Sequence, residues 1–384
     1  MALPREEEQR LFEMLSWKEA LALVGPRRVG KSTLAVRMLE AWEQRGGSGA
    51  YFDLEALDAP ATALELSKAA VEVPKKGLLV LDEVQALDGW VKFARQEIEQ
   101  NRHHLVLTGS SASLLSKEIA SSLAGRAIPE TILPLSYRDA RAWGLKTLDD
   151  YLDVGGYPEC VLRPLDAPKL HKVYLELAVL RDVAARLKAR QTKPLSDLAL
   201  ILLSEPGKTI SAKKTAAAIG TSQPTFRQFV QALNDAFLVL SVPPFLHSPR
   251  QAVIADAKHY AYDTGLQKSA SISTSEDAGR RLENLAAIEL LRRGHSISYY
   301  RAKNGAECDF IAKKPGTQTL AVQVFSGEGR LPQRELEGLE AGTKASRGTG
   351  LLLCKSASAI PENGLPKNTR AKTIEEWLYK KNTD

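Results

Sequence analysis

The chain has 384 residues, a length that predicts two or three domains. Its hydrophobic fraction of 44% and charged fraction of 26% are ordinary for a globular protein, and no apolar run approaches the roughly 20 residues of a membrane span. The net charge of +6 is compatible with a nucleic-acid partner without establishing one, and the three widely spaced cysteines exclude a disulfide framework and predict a reducing, cytoplasmic location.

The first predicted elements surround a glycine-rich loop. Residues 5 to 15 predict a short amphipathic helix, and the apolar run 20 to 24 predicts a buried strand. Residues 25 to 32 have the spacing GxxxxGK followed by Ser, and a predicted helix follows, as a phosphate-binding loop requires. Loop N–H groups contact phosphate oxygens, the lysine contacts the terminal phosphates, and the serine holds Mg²⁺. The sequence therefore predicts ATP and Mg²⁺ as cofactors, bound by Gly25, Pro26, Arg27, Arg28, Val29, Gly30, Lys31, Ser32 and Thr33.

A pair of carboxylates follows a predicted strand at 50 to 54 and a helix at 61 to 72. Residues 78 to 83, Leu-Leu-Val-Leu-Asp-Glu, have the pattern of a buried strand that ends in acids. Asp82 is predicted to order the Mg²⁺ through water, and Glu83 to polarise the water that attacks the terminal phosphate. The alternative is a core strand that ends in solvated acids. The position of the acids at a strand end, about fifty residues after Lys31, favours the catalytic interpretation.

Hydroxyl side chains follow the next predicted buried strand, at residues 105 to 107. Because ligands bind at the carboxyl ends of parallel strands, Thr108 and Ser110 are candidate sensors of the terminal phosphate or the attacking water. The alternative is a turn of small residues with local hydroxyl hydrogen bonds.

An arginine in a glycine-flanked turn lies between a helix predicted at 113 to 123 and a strand predicted at 127 to 133. Arg126 is a candidate arginine finger, which would stabilise charge on the phosphoryl group transferred in a neighbouring subunit. The alternative is a surface arginine, or a charge at a helix C-terminus.

These motifs and three later ones carry a family resemblance. The later ones are Pro-Leu-Ser-Tyr at 134 to 137, Gly-Gly-Tyr-Pro-Glu at 155 to 159 and Leu-Arg-Asp-Val at 180 to 183. Over nearly its whole length the chain resembles the prokaryotic AAA-family ATPases that carry a C-terminal restriction-endonuclease-like domain of unknown function. The resemblance implies an α/β AAA+ core that works in a homo-oligomer, such as a hexamer-type ring, and it favours Arg126 as a finger acting in trans.

The domain boundaries follow from the same comparison and from changes in composition. We expect the AAA+ core at 1–142, a helical lid at 143–192, a winged helix at 193–250 and the restriction-endonuclease-like domain at 251–384. A long amphipathic helix is predicted from 170 to 188 in the lid. Its Arg181 is a candidate second sensor of the phosphates, and the alternative is a solvated partner of a residue four positions away.

The winged helix is predicted from three helices and a following β-ribbon. In the third helix apolar residues at 226, 229, 230 and 233 form one face. Arg227, Gln228 and Gln231 fall on the opposite face, and such side chains suit base edges and phosphates of DNA. The alternative is a winged helix used only for protein packing.

The last domain has the element order of a restriction-endonuclease core. There a helix Glu, a strand Asp and a third-strand Glu bind Mg²⁺, and a lysine two residues later activates water. Glu283 and Asp309 match, but Gln323 replaces the third carboxylate and Phe325 stands at the lysine position. We therefore expect a binding or assembly module without cleavage activity, to which Lys313 and Lys314 give a basic surface.

The sequence thus predicts an oligomeric, Mg²⁺-dependent AAA+ ATPase that couples ATP hydrolysis to binding or remodelling of DNA, including branched DNA, away from the membrane. Two alternatives stay open. One is an ATP-dependent switch in stress or defence with incidental DNA binding, and the other is an ATP-gated nuclease. DNA-stimulated turnover distinguishes the first alternative, and Mg²⁺-dependent cutting identifies the second.

Overall fold

The computed structural model describes residues 3–109, 123, 125–188, 191–246, 248, 250–251, 255–271 and 277–380. The chain divides into two compact units, one of residues 1–134 and 235–237 and the other of residues 135–234 and 238–384. The candidate sensor Ser110 and nearly all of the helix predicted at 113 to 123 lie outside the described residues. Within the described ranges, no helix is both long enough and apolar enough to cross a membrane.

A parallel sheet forms the centre of the first unit. Its strands are β1 (Ala20–Val24), β2 (Gly49–Asp53), β3 (Leu78–Asp82), β4 (His104–Gly109) and β5 (Ala127–Thr131). All five run in the same direction in the order β2-β3-β4-β1-β5, which confirms the predicted α/β class with a parallel sheet. Every residue of β1 and β3 is buried, as expected for apolar strands covered on both faces. The loops after β1, β3 and β4 therefore emerge at one edge of the sheet.

The helices of the first unit cover this sheet. They are α1 (Glu8–Met14), α2 (Lys31–Gln44), α3 (Ala63–Ala70) and α4 (Trp90–Glu99). Helix α2 buries Leu34, Ala35 and Met38 at helical spacing and packs on β2, β3 and β4. Thr62 caps α3, because its hydroxyl accepts a hydrogen bond from the Glu65 N–H.

The second unit begins with helices that have strong start signals. They are α5 (Tyr137–Ala142), α6 (Leu148–Val154), α7 (Pro158–Leu162) and α8 (Ala167–Leu177). Capping boxes start α5 and α6, with Ser136 and Thr147 as the N-cap residues. Helix α8 continues through a π-helical segment, Ala178–Ala184, into Ala185–Leu187. The helix predicted from 170 to 188 thus starts earlier and changes its winding, which a 3.6-residue hydrophobic pattern does not reveal.

Three helices and a β-ribbon come next. They are α9 (Lys193–Ser204), α10 (Ala212–Ala218), α11 (Gln223–Asp235), β6 (Val239–Val242) and β7 (Lys258–Ala261). Strands β6 and β7 pair in antiparallel register, and Thr209 bridges to Lys258 in β7. Helix α11 buries Phe226, Phe229 and Leu233 as predicted, together with Ala232.

A second five-stranded sheet follows. The elements are α12 (Thr264–Ala270), α13 (Asp277–Arg292), β8 (Ser296–Arg301), β9 (Glu307–Lys313), β10 (Leu320–Phe325), α14 (Gln333–Ser346), β11 (Thr349–Cys354), β12 (Thr369–Thr373) and α15 (Ile374–Tyr379). The strand order is β12-β11-β10-β9-β8; β9 is antiparallel to both of its neighbours, and β10, β11 and β12 are parallel. Helix α14 packs on β9, β10 and β11.

A buried aspartate joins the Gly-Gly-Tyr-Pro-Glu motif to the start of α12 inside the second unit. Asp263 accepts a hydrogen bond from the Gly156 N–H at 2.6 Å and caps α12 through the Leu266 N–H at 2.8 Å. Gly155 has φ 73°, and a Cβ there would lie 2.2 Å from the Asp263 carboxylate. Burial raises the pKa of Asp263 above its usual value. The motif at 155 to 159 and the Asp-Thr-Gly at 263 to 265 are therefore parts of one buried junction.

Candidate functional site

The loop between β1 and α2 is shaped by positive backbone angles. Gly25 has φ 150°, and a Cβ there would lie 2.2 Å from the carbonyl oxygen of Ile132. Gly30 has φ 90° and forms the N-cap of α2, and Arg28 also has a positive φ of 66°. Glycine adopts these angles without steric cost. The loop thus places the N-terminus of α2, whose free N–H groups favour an anion, beside the end of β1.

Lys31 lies inside this loop. Its side chain is buried, and its Nζ donates to the carbonyl oxygens of Gly25 at 3.0 Å and Pro26 at 2.8 Å. These bonds hold the ammonium group in the concave side of the loop, where a phosphate would meet it. Ser32 and Thr33 follow in the first turn of α2, with Ser32 half-buried and Thr33 exposed.

Asp82, Thr108 and Tyr51 form a hydrogen-bonded group at the same edge of the sheet. The Thr108 hydroxyl donates to one carboxylate oxygen of Asp82, and the Tyr51 hydroxyl donates to the other at 2.5 Å. Thr108 also accepts a hydrogen bond from the Glu83 N–H at 3.0 Å. Thr108 therefore connects the Asp82 side chain with the Glu83 backbone, and its role as a sensor stays a prediction.

Glu83 has a strained backbone. Its φ of 52° and ψ of 53° lie in the left-handed region, which is unfavourable for a residue with a side chain and is common at functional sites. Its carboxylate accepts a hydrogen bond from the Gln85 side chain.

Tyr51 was not predicted as a site residue. Its hydroxyl donates to the Asp82 carboxylate at 2.5 Å and lies near Ser32, and these are the two residues predicted to hold Mg²⁺. Burial and the hydrogen bond to Asp82 raise the pKa of Tyr51 well above its usual value, so that the hydroxyl stays protonated. A tyrosine in the middle of a strand carries no sequence signal for such a role, because aromatic residues are common in strands.

The residues present fit a magnesium ion. The hydroxyl of Ser32 and the carboxylate of Asp82 both lie near the Tyr51 hydroxyl, which brings two oxygen donors to one place. Mg²⁺ prefers oxygen ligands and retains several waters, so a few protein ligands and a phosphate suffice.

Arg126 lies at the other edge of the first sheet. Its carbonyl oxygen accepts a hydrogen bond from the Ala20 N–H at 2.8 Å, at the start of β1. The whole of β1, about 16 Å of chain, separates it from the phosphate-binding loop. Its guanidinium pairs with Glu99 at 3.0 Å.

The remaining predicted residues lie in the second unit. Arg181 is exposed on the π-helical segment that follows α8. Arg227, Gln228 and Gln231 are all exposed on α11, opposite its buried face. The predicted separation of an apolar face from a polar face is therefore present in this helix.

Glu283, one of the predicted nuclease-like residues, forms an ion pair with a lysine of β7. Lys258 in β7 is buried, and its Nζ lies 3.3 Å from Glu283 and 2.6 Å from Glu307. Burial and the nearby Glu283 raise the pKa of Asp309 well above its usual value.

Gln323 does not act as a metal ligand in this arrangement. It donates to Glu335 at 2.7 Å, and its amide oxygen accepts from the Asp309 N–H. Within the described ranges, no group of three or more His, Cys, Asp or Glu side chains could hold a metal ion. Lys258 of β7 thus forms an ion pair with carboxylates of α13 and β9.

The parallel sheet and the glycine-rich loop after β1 give the first unit the fold of a P-loop nucleotide-binding domain. Residues 18–140 match the family model described as AAA domain, and residues 145–277 match a domain of unknown function (DUF8612). The chain belongs to the same family as the uncharacterized protein MJ1544 of Methanocaldococcus jannaschii, with 31% identity over 307 residues that cover 73% of this chain and 68% of the relative. An uncharacterized protein of Haemophilus influenzae is 28% identical over 345 residues, 83% of this chain and 86% of that protein.

Solved structures of a replication initiator align weakly with the chain. AMPPCP-bound DnaA from Aquifex aeolicus aligns with a TM-score of 0.30 and 12% identity, covering 61% of this chain and 89% of that chain. DnaA bound to AMPPCP and single-stranded DNA aligns with a TM-score of 0.29 and 15% identity, covering 60% of this chain and 86% of that chain. Scores this low carry no argument about ligands or partners.

Proposed function

We propose that the first unit binds ATP with Mg²⁺ and hydrolyses it. The observation that carries the proposal is the meeting of Lys31, Asp82, Glu83 and Thr108 at one edge of the sheet, in a chain whose residues 18–140 match the AAA domain. Steady-state ATP turnover of the purified chain, measured with and without Mg²⁺ and DNA, tests it.

Each side chain has a separate role in this proposal. The loop N–H groups and Lys31 bind the phosphates, and Ser32 and Asp82 hold the Mg²⁺. The bound ion would supply charge neutralisation between the terminal phosphates. Glu83 accepts a proton from the attacking water and orients it. Thr108 links the Asp82 carboxylate to the Glu83 backbone, so a change at the phosphates reaches the water-activating residue through one hydroxyl.

Tyr51→Phe is expected to raise the affinity of the site for magnesium. The Tyr51 hydroxyl donates to the Asp82 carboxylate and lies near the Ser32 hydroxyl. Tyr51→Phe should therefore leave the oxygens of Asp82 and Ser32 available to the ion. We expect the Mg²⁺ concentration that supports half-maximal ADP binding to fall about fivefold, the equivalent of one net hydrogen bond. Calorimetric titration of ADP at a series of Mg²⁺ concentrations measures this, and ADP affinity without Mg²⁺ is the control that should not change. A rise in the required Mg²⁺ would mean that Tyr51 helps to hold the ion.

We also propose that the predicted winged helix at 193–250, whose ribbon is completed by β7 (Lys258–Ala261) beyond the predicted boundary, binds DNA. Three helices, a paired β6–β7 ribbon and the bridge from Thr209 support this. The exposed polar face of α11 carries Arg227 and Gln228, and Lys213 and Lys214 are exposed on α10. Such a surface offers donors for base edges together with positive charge for the phosphates.

The double variant Arg227→Ala, Gln228→Ala tests this surface. We expect about tenfold weaker binding to duplex DNA, because a charged and an amide contact are lost, and a slope of log affinity against log salt that is smaller by about one. Fluorescence anisotropy at several salt concentrations measures both values. Lys172→Ala, which removes an exposed positive charge from α8, is the matched control. An unchanged affinity and slope would assign the winged helix to protein packing.

The residues of the C-terminal domain support a nuclease-like module that has a binding or assembly role and no cleavage activity. The sheet order and the positions of Glu283 and Asp309 support the resemblance to a restriction-endonuclease core. The Lys258 ammonium lies between Glu283 and Glu307, where Mg²⁺ would bind in a metal-dependent nuclease.

For the whole chain we favour a function in which oligomers couple ATP turnover to DNA, over an ATP-dependent switch with incidental DNA binding.

A further inference from the structure

A polar cavity of about 570 Å³ lies at the edge of the second sheet where β10, β11 and β12 begin. Residues next to or at these strand starts line it, including Leu320, Thr349 and Thr369. Its volume is within the range of about 300–1,000 Å³ that small-molecule sites occupy. The cavity contains none of the residues assigned above to nucleotide, DNA or the nuclease-like site.

The charges that line the cavity have one sign. His295, Lys314 and Arg370 contribute basic groups, and none of the described residues that line it is Asp or Glu. Across the described part of the chain, neither Lys314 nor Arg370 forms an ion pair, and the buried Nε of Arg370 has no hydrogen-bond partner. Other basic side chains of the same unit, such as Lys258 and Arg301, pair closely with carboxylates. The cavity therefore contains positive charge that the protein itself leaves without a counter-charge.

The other lining groups suit an oxyanion. Thr349 and Asn368 contribute a hydroxyl and an amide group that can donate to phosphate oxygens, whereas the Thr317 and Thr369 hydroxyls donate to the carbonyl oxygens of Lys314 and Lys367. Arginine binds phosphate through two parallel N–H groups, and lysine binds it as a point charge. Among the described residues no Phe, Tyr or Trp lines the cavity, so they offer no surface on which a nucleobase would stack. We propose that this cavity binds a phosphate group, held by Lys314 and Arg370 and by the Thr349 hydroxyl and the Asn368 amide.

The opposite edge of the same sheet has the opposite charge. A second cavity of about 420 Å³ there has carboxylates in excess: it is lined by Glu307, Asp309, Glu335 and Glu337, with Arg334 as a basic group and Gln323 at its wall. Gln323 lies three residues after Leu320 on β10, about 10 Å along the strand. A phosphate is repelled from the acidic cavity and attracted to the basic one, which gives the domain a single preferred side for a phosphorylated ligand.

The test uses the full chain with Lys31→Ala, so that the phosphate-binding loop does not contribute. Inorganic phosphate and a short duplex DNA are the two probes. Calorimetry gives the affinity, and hydrogen exchange of the segments 313–320 and 366–372 reports binding at the cavity. Lys314→Gln and Arg370→Gln are each expected to weaken phosphate binding about tenfold. Lys303→Gln removes an exposed lysine at the other end of the β8–β9 hairpin and should have no effect.

The outcomes separate the sources of the phosphate. Protection of the two segments by inorganic phosphate alone assigns a small phosphorylated ligand, and protection by the duplex assigns a phosphodiester of nucleic acid. Lys314 directly follows β9, and its side chain is half-exposed. Lys314→Gln should therefore melt at the temperature of the parent, including in the case that Arg370→Gln melts lower. Equal affinity in the parent and in Lys314→Gln, or no protection by either probe, would overturn the proposal.

Discussion

Glu83→Gln is expected to bind ATP and to lose nearly all hydrolysis. The change keeps the size of the side chain and removes its ability to accept a proton, a contribution worth about 10²–10⁴-fold in rate. Lys31→Ala should instead lose nucleotide binding, because it removes the buried ammonium that the Gly25 and Pro26 carbonyls hold inside the loop. Binding of a fluorescent ATP analogue and release of phosphate measure the two effects separately.

The control for this pair is Glu72→Gln, an exposed carboxylate of the same unit that takes no part in the site. It should bind and hydrolyse ATP as the parent does. If Glu83→Gln turned over ATP at the parent rate, Glu83 would not be the water-activating residue. Loss of binding in Glu83→Gln would mean that the Glu83 carboxylate contributes to nucleotide binding, and its role would then not be confined to activating water.

The core elements of the first unit were predictable because their signals are local. The phosphate-binding loop is fixed by glycines that need positive φ and by a lysine at fixed spacing, and Gly25 and Gly30 have those angles. The strand at 78 to 82 was predicted from its apolar run and has five buried residues. Parallel strand order then brings Asp82 and Thr108 together, because residues that end neighbouring strands meet at one edge.

The missed features depend on contacts between residues distant in sequence. Tyr51 reaches Asp82 across 31 positions, and Lys258 reaches Glu307 from a strand of the β-ribbon. Neither residue stands out in its own segment, since a tyrosine in a strand and a lysine near a turn are common. Strand β12 was also missed, because Thr369–Thr373 alternates polar residues without an apolar run.

Arg126→Ala is expected to bind ATP and to lose hydrolysis about a thousandfold or more, if the arginine serves the site of a neighbouring subunit. In its own subunit Arg126 precedes β5, at the edge of the sheet opposite the phosphate-binding loop. That position separates it from its own nucleotide by the length of β1. An arginine acting in trans is the remaining catalytic role, and it requires an oligomer.

The control is Arg95→Ala, because Arg95 and Arg126 pair with the same carboxylate. Hydrogen bonding from Arg95, aided by the charge of Arg126, holds the pKa of Glu99 below its usual value. If Arg126 only neutralised Glu99, the two alanine variants would behave alike, and both would keep near-normal turnover. A selective loss in Arg126→Ala assigns a role beyond the ion pair.

Mixing experiments separate action in trans from damage to the same subunit. Lys31→Ala has an intact arginine and no nucleotide site, whereas Arg126→Ala has an intact site and no arginine. In mixed oligomers some Arg126→Ala sites face a neighbour with a working arginine, so the mixture should recover part of the parent rate although neither variant is active alone. Light scattering confirms that the two variants assemble together. No recovery in a confirmed mixed oligomer would exclude the trans finger, and the catalytic reason for an oligomer would be lost with it.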